Sequence, residues 1–238
     1  MTEGLKKSQN TRVVQIAIDG DAGSGKTTIG KILAEKLAFE FIDSGLFYRL
    51  ATFLIIREGI QLDKRNWLKT LDTKIIEFVD DSFVVNGEKI LNELLRSKEV
   101  EDLVSDVSKP IEVRDFITNS LRKIASNLNV VMVGRDIGTV VLKDAFLKVY
   151  LTATIEERAK RRYEELLGKG FDVAFDDVIE NLKKRDLIDS SRENSPLAIA
   201  LDAYVIDTTD ISIQEVVEKI FLFLEGKKYA LRISSRPR

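Results

Sequence analysis

Gly20-Asp21-Ala22-Gly23-Ser24-Gly25-Lys26-Thr27 fills the pattern G-x-x-x-x-G-K-[ST] completely, and its flanks leave few folds open. Before it, Val13-Val14-Gln15-Ile16-Ala17-Ile18 reads as a buried strand. After it, Ile29, Ile32, Leu33 and Leu37 recur at helical spacing. Strand, glycine loop and helix together are the context in which this pattern cradles phosphate. Glycine lets the backbone fold tightly enough for successive N–H groups to point at one anion. The helix that follows adds its positive end. In such a loop Gly20 to Thr28 line the triphosphate, Lys26 reaches its outer phosphates, and the Thr27 hydroxyl is a ligand for Mg²⁺. These observations imply a nucleoside triphosphate site.

The rest of the composition narrows the chemistry. The 238 residues contain no cysteine and no histidine. Disulfides, thiolate metal sites, cysteine nucleophiles and every His-dependent triad are excluded. What remains is Asp, Glu, Lys, Arg, hydroxyls, backbone and a hard metal ion, which are the parts phosphoryl transfer uses. A net charge of −2 gives no global attraction to nucleic acid or anionic lipid. The polar first dozen residues lack an apolar signal core, and no apolar run is long enough to span a bilayer. A soluble, cytoplasmic, monomeric protein is expected, with no membrane and no nucleic-acid partner.

Along the chain, apolar strands alternate with helices. Strands are expected at 39–42, 130–133, 146–151 and 203–206 besides the first. Helices are expected from Phe47 to Arg57 and from Ile111 to Leu128. Another should follow a capping box at Thr154, and a last one should run from Ser212 to a stop at Gly226. This pattern predicts an α/β fold with a mostly parallel sheet covered on both faces, and ligands off the carboxyl ends of the strands. Residues 60–110 break the alternation. Two short strands, 75–80 and 83–85, are joined through Asp81-Ser82; a turn at Asn86-Gly87 precedes a charged helix over 91–107. An inserted substrate-binding subdomain is expected there. Residues 227–238 carry Lys227, Lys228, Arg232, Arg236 and Arg238 and no acid, and read as a solvated tail.

Arginine placement separates the classes of triphosphate-binding protein. No N-K-x-D guanine reader is present, and the best candidate for a hydrolytic strand end is Gly134-Arg135-Asp136. Arginine there suits a second anion better than a hydrolytic water. Arg49 lies one turn beyond Asp43-Ser44-Gly45. Arg158, Arg161 and Arg162 share one helical face, and Arg185 and Arg192 flank a loop rich in Asp and Ser. An alcohol acceptor wants a base; a phosphate monoester, with a second pKa near 6, is already largely a dianion. The residues therefore point to a kinase whose acceptor is itself a phosphate. A kinase for another small molecule, or a non-catalytic ATP-responsive module whose basic tail touches RNA, is the alternative.

The strings Asp43-Ser44-Gly45 with Tyr48-Arg49, Gly134 through Val141, Glu156-Glu157-Arg158-Ala159 with Arg161-Arg162, Lys184-Arg185-Asp186 through Asp189 with Arg192, and 203–208 resemble the bacterial cytidylate kinases over about Val13 to Gly226. The resemblance implies a P-loop nucleoside monophosphate kinase fold over 13–226, between polar tails at 1–12 and 227–238. It has a five-stranded parallel sheet with helices on both faces, a monophosphate-binding insertion at 60–110 and a lid at 153–195. It implies Mg²⁺, ATP as co-substrate and CMP or dCMP as acceptor. On that resemblance Ser44, Arg49, Ser105, Arg114, Arg135, Asp136, Arg185, Asp189 and Arg192 form the acceptor site. Arg49 and Arg135 would be phosphate clamps, Ser105, Arg114 and Asp136 base readers, and Arg185 and Asp189 sugar contacts. Lys26, Arg135, Arg158, Arg161 and Arg162 would act on the transferring group. Two positions depart from the family pattern: Val133 stands where an acidic residue is frequent, and Asp21 stands where proline is usual. Asp21 is expected to set its charge beside the phosphate site or to turn it to solvent.

Overall fold

The computed structural model describes residues 13–60, 71, 74–79 and 82–234, with backbone alone for 228–234. The polar first dozen residues, Asp80-Asp81 and the end of the basic tail, with Arg236 and Arg238, lie outside the described residues. So do 61–70 and 72–73 of the expected insertion.

Strand β1 (Gln15–Gly20) runs through the centre of a five-stranded parallel sheet. It is flanked by β6 (Val130–Val133) and β7 (Leu147–Thr152), and these by β2 (Glu40–Asp43) and β8 (Tyr204–Asp207). The spatial order is β2-β6-β1-β7-β8. Such a sheet must be apolar on both faces, and it is. Ala17, Ile42, Val130 and Met132 face one core, with α2 (Ser44–Arg57) and α4 (Ile111–Ala125) packed over them. Ile16, Ile18, Val131, Val133, Val149 and Leu151 face the other. That face is covered by α1 (Lys26–Leu37) and α7 (Ile213–Ser234). Each such aliphatic side chain fully withdrawn from water contributes roughly 1.5–3 kcal/mol.

Helix α1 lies unusually close to the sheet. A Cβ on Gly30 would stand 2.6 Å from Val133 Cγ1 and 2.9 Å from the Phe41 ring. Glycine is therefore required for close approach, not for backbone freedom.

The region between α2 and α4 carries a separate three-stranded antiparallel sheet, β3 (Ile76–Val79), β4 (Ser82–Val85) and β5 (Glu88–Ile90). Phe78 and Phe83 pack with Phe47 of α2 at ring-centroid distances of 4.8–5.3 Å, which pins this sheet to the main body. The Asn86-Gly87 turn leads into β5, a strand the sequence did not announce. Both residues have positive φ, 51° and 83°, as a tight hairpin requires. The charged stretch after it is not one helix: a 3-10 turn at Leu94–Arg96 precedes α3 (Lys98–Val107), which is capped by Ser97.

Helix α5 (Ile155–Gly168) starts on the Thr154 cap, whose hydroxyl accepts from Glu157 N. It pairs with α6 (Phe175–Ser191) around Ala159, Val178 and Leu182, a small cluster that also includes Ala22 of the glycine loop. Two helix ends differ from expectation. Helix α2 begins at Ser44, three residues early, because the Asp43 carboxylate caps Gly45 N at 2.9 Å. The last helix does not stop at Gly226 but continues to Ser234, so most of residues 227–238 extend a helix rather than form an irregular tail. No helix among the described residues is long and apolar enough to cross a membrane.

Candidate functional site

The glycine loop joins the carboxyl end of β1 to α1. Gly20 has φ 147°, and a Cβ there would lie 1.9 Å from the Leu151 carbonyl oxygen, so the loop turns flush against β7. Gly23 and Gly25 also adopt positive φ, at 79° and 89°. Gly25 is the left-handed entry to α1, leaving that helix's first N–H groups aimed at the loop's interior.

Lys26 is buried. Its Nζ donates to the Asp21 carbonyl and to Ser24 Oγ at 3.3 Å. Burial, then the nearby positive charge of Arg135, holds its ammonium well below the ordinary lysine range. A cation so placed gains from any anion that enters the loop. Thr27 Oγ1 donates to Asp43 Oδ2 at 3.1 Å. Ala22 and Ser24 are buried, whereas Gly23 and Thr28 lie at the surface.

Asp21 is not turned to solvent: its carboxylate accepts from Tyr150 Oη at 2.9 Å and Thr152 Oγ1 at 2.6 Å, which moors it to β7, while its charge still acts on Lys26. Burial, and then the Asp21 charge, raise the Tyr150 phenol above its usual range and keep it a donor. Val133, the other departure, is buried against α1 and contributes packing alone.

A second cluster lies beside the loop, off the ends of β2 and β6. It gathers residues far apart in sequence. Arg135 Nε donates to Asp189 Oδ2 at 2.7 Å, and Arg192 pairs with the other oxygen of the same carboxylate. Burial works against the Asp189 charge, but Arg135 and Arg192 outweigh it and hold its carboxyl below the ordinary range. Arg114 is fully buried. It pairs with Asp136 at 2.5 Å, donates to the Ser108 carbonyl at 3.2 Å and lies over the Tyr48 ring. The Nε atoms of Arg114 and Arg192 are buried with no hydrogen-bond partner among the described residues. Buried donors are normally satisfied, so these two are available to a ligand.

Arg185 has no hydrogen bond or ion pair among the described residues. Burial and then repulsion from Arg135 lower its guanidinium to about 10, with Asp189 and Glu101 opposing. Arg49 donates to the Leu95 carbonyl and to Glu101, each at 3.2 Å, and burial lowers its pKa. Ser44 is buried at the start of α2, and its Oγ would lie 2.4 Å from a Cβ at Gly134. Ser105 is half-buried on α3.

The three arginines of α5 leave the helix in different directions. Arg158 is buried and reaches the Ala22 and Ala153 carbonyls at 3.0 Å and Asp186 at 2.7 Å, which ties the helical hairpin to the glycine loop. Arg161 donates to Glu157 at 2.9 Å and to the hydroxyl and carbonyl of Thr208 at 3.0 and 2.6 Å. Arg162 turns toward the insertion and Glu101, at 3.3 and 3.4 Å. Shared helical face did not mean shared target.

Sequence reasoning missed Asp19, which joins the two clusters. Its two oxygens accept from Ile137 N at 2.8 Å and Gly138 N at 2.7 Å, in the π-helical turn that follows Arg135-Asp136. Burial pushes the Asp19 carboxyl up to about 6 despite the Gly138 and Ile137 donors. Asp43, Glu101, Tyr150 and Thr152 were missed as well. Asp19, Asp43 and Thr152 had a signal, since each stands at the carboxyl end of a core strand. Among the described residues no three His, Cys, Asp or Glu side chains gather as a metal site. The Thr27–Asp43 pair beside a triphosphate loop suits an ion held mainly by phosphate oxygens and water, which is how Mg²⁺ binds.

The match to known proteins is extensive. A family model described as cytidylate kinase matches residues 16–225. A cytidylate kinase from Carboxydothermus hydrogenoformans is 45% identical over 219 residues, covering 90% of this chain and 98% of that one. One from Caldanaerobacter subterraneus subsp. tengcongensis is 47% identical over 209 residues, covering 87% and 93%. Among solved structures, a gluconokinase from Sinorhizobium meliloti superposes with a TM-score of 0.51 at 14% identity, over 94% of this chain and 98% of that one. That likeness concerns the fold alone.

Proposed function

Since this chain belongs to the cytidylate kinase family, we propose that it transfers the γ-phosphate of ATP to CMP or dCMP, giving ADP and CDP or dCDP. The observation that carries this reading is the second cluster. Arg49, Arg135 and, from one helix and its C-cap, Arg185 and Arg192 meet beside the cradle, with Arg185 unpaired among the described residues and the buried Nε donors of Arg114 and Arg192 unused. An acceptor that carries its own phosphate satisfies all of them.

The glycine loop and Lys26 hold the β- and γ-phosphates. Arg49 and Arg135 hold the acceptor phosphate, with Arg185 adding positive charge beside it. Arg114 and Asp136, with Ser105, read the cytosine, whose edge offers both a donor and acceptors. Arg185 and Asp189 border the sugar, with Arg192 beside Asp189. Mg²⁺, held through Thr27 and Asp43, would neutralise charge on the transferring group. No side chain need act as general base, because the attacking oxygen belongs to a phosphate already ionised at neutral pH. Catalysis is then alignment and charge neutralisation: two polyanions are brought together by fixed cations that need little reorganisation. The 60–110 region is the acceptor-binding insertion. The α5–α6 hairpin (within 153–195) is the lid that carries Arg158, Arg161 and Arg162 and keeps water out. The enzyme works as a cytoplasmic monomer without nucleic acid.

The test is phosphorylation of CMP, dCMP, UMP and AMP at equal concentration. CMP and dCMP should lead. A preference for AMP rejects the reading.

A further inference from the structure

Glu101 belongs to no part of the reading above, yet its carboxylate holds two of the arginines assigned there. It sits in the first turn of α3. Its Oε1 accepts from Arg49 Nη2 at 3.2 Å, and both its oxygens accept from Arg162 Nη2, at 3.4 and 3.3 Å. One carboxylate thus links three segments: α2 through Arg49, the insertion through α3, and the α5–α6 hairpin through Arg162. Arg185 also feels its charge.

Two oxygens presented to two guanidiniums from different sides are what a phosphate presents. The bridge is also exchangeable. Arg49 keeps the Leu95 carbonyl when Glu101 leaves, and Arg162 keeps Glu165 at 2.8 Å. Glu101 is itself one-third exposed, so water can take it back at small cost. Neither arginine is orphaned and no bare charge is buried by the exchange. The Arg114–Asp136 pair differs in being almost wholly out of water on both sides.

We propose that Glu101 is a positioning residue that tunes acceptor affinity, an internal stand-in for the acceptor's phosphate that holds Arg49 and Arg162 until a phosphate-bearing acceptor displaces it. This rests on the reading of Arg49 as a clamp for that phosphate. A tethered carboxylate competes at high effective concentration. A phosphate dianion, with more charge and three oxygens, outcompetes it. A nucleoside lacking phosphate cannot, so it meets a cleft whose clamps stay occupied.

The experiment compares wild type with Glu101→Gln by calorimetric titration of CMP and of cytidine, with ATP KM measured alongside. Removing the competitor's charge should tighten CMP binding about three- to tenfold and leave cytidine binding and ATP KM unchanged. A merely structural bridge would loosen the cleft and weaken both ligands. CMP binding that is unchanged or weaker in the variant overturns the proposal. If wild type phosphorylates CMP while the variant binds it no better, only the role of Glu101 falls. If wild type neither binds nor phosphorylates CMP, the functional reading falls and takes this role with it.

Discussion

The glycine loop and the arginine cleft are neighbours that handle charge in opposite ways. The loop is contiguous, built from nine residues, and its groups lean on one another: Lys26 rests on the Asp21 carbonyl and the Ser24 hydroxyl of its own loop. The cleft is drawn from residues between 44 and 192. Most of its cations are matched by carboxylates, Asp189 for Arg135 and Arg192, Asp136 for Arg114 and Glu101 for Arg49. A neutral partner can be left without electrostatic loss, so the loop is ready for a polyanion. A cleft so paired would have to exchange partners to take an anion, so its affinity would depend on which carboxylates surround it. On the proposed function, preorganisation would serve the donor and exchange the acceptor.

Lys26→Ala should give the largest separation of the two regions. Turnover should fall by about a hundred- to a thousandfold or more, because an ammonium aimed at developing charge is lost, while CMP affinity stays near wild type. Steady-state kinetics with direct CMP titration decides it; near-normal turnover would remove Lys26 from the mechanism. Arg135→Ala attacks the other side. We expect kcat/KM for CMP to fall roughly a hundredfold with ATP affinity retained. Equal loss of both ligands would mean that the regions are one site.

Asp19 tests their seam, since it ends the strand carrying the loop and holds the turn carrying Arg135. Its carboxyl titrates near 6 in the folded protein, against an ordinary 3.8, because burial penalises the charge. A raised carboxyl pKa means that the folded state holds the proton more tightly, so stability declines as pH rises from about 4 to about 6. Asp19→Asn lacks this titration. Between pH 4 and pH 7 the stability difference should therefore move in the variant's favour by on the order of 3 kcal/mol. Urea unfolding at the two pH values measures it; a constant difference would show that Asp19 titrates alike folded and unfolded. The smallest effect is expected for Tyr150→Phe, which removes one of two moorings of Asp21. That hydrogen bond contributes about 1 kcal/mol, so ATP KM should rise a few fold with CMP KM unmoved. A change in CMP KM instead would couple the regions through β7.

The same contrast explains what could be read from the sequence. The cradle and the strands β1, β2, β6, β7 and β8 were legible because short apolar runs and a local pattern encode them. β5 was not: Glu88-Lys89-Ile90 has one buried residue, and its partner strand, not its composition, makes it a strand. The continuation of α7 through Gly226 was missed because a glycine's penalty, about 1 kcal/mol against alanine, is a weak stop signal without further breakers. In the cleft, arginines could be named but their targets could not. Arg158, Arg161 and Arg162 share a face at the backbone, yet long side chains reach a buried carbonyl, a strand end and a distant helix. Glu101 read as one charge among several on a helix, because its partners lie 52 and 61 positions away. Asp21 could be read as a charge beside the loop, but nothing local announced Tyr150 and Thr152 as its donors.

The tight crossing of α1 over β6 restricts how this chain can diverge. With no room for a methyl group at position 30, the residues at 30, 41 and 133 form a single steric unit. An acidic side chain at 133 would have to enter an apolar seam, and a larger residue at 30 would push away the helix that begins at Lys26. Lineages that differ at one of these sites should differ at the others, and single exchanges between them should fold poorly where paired ones succeed.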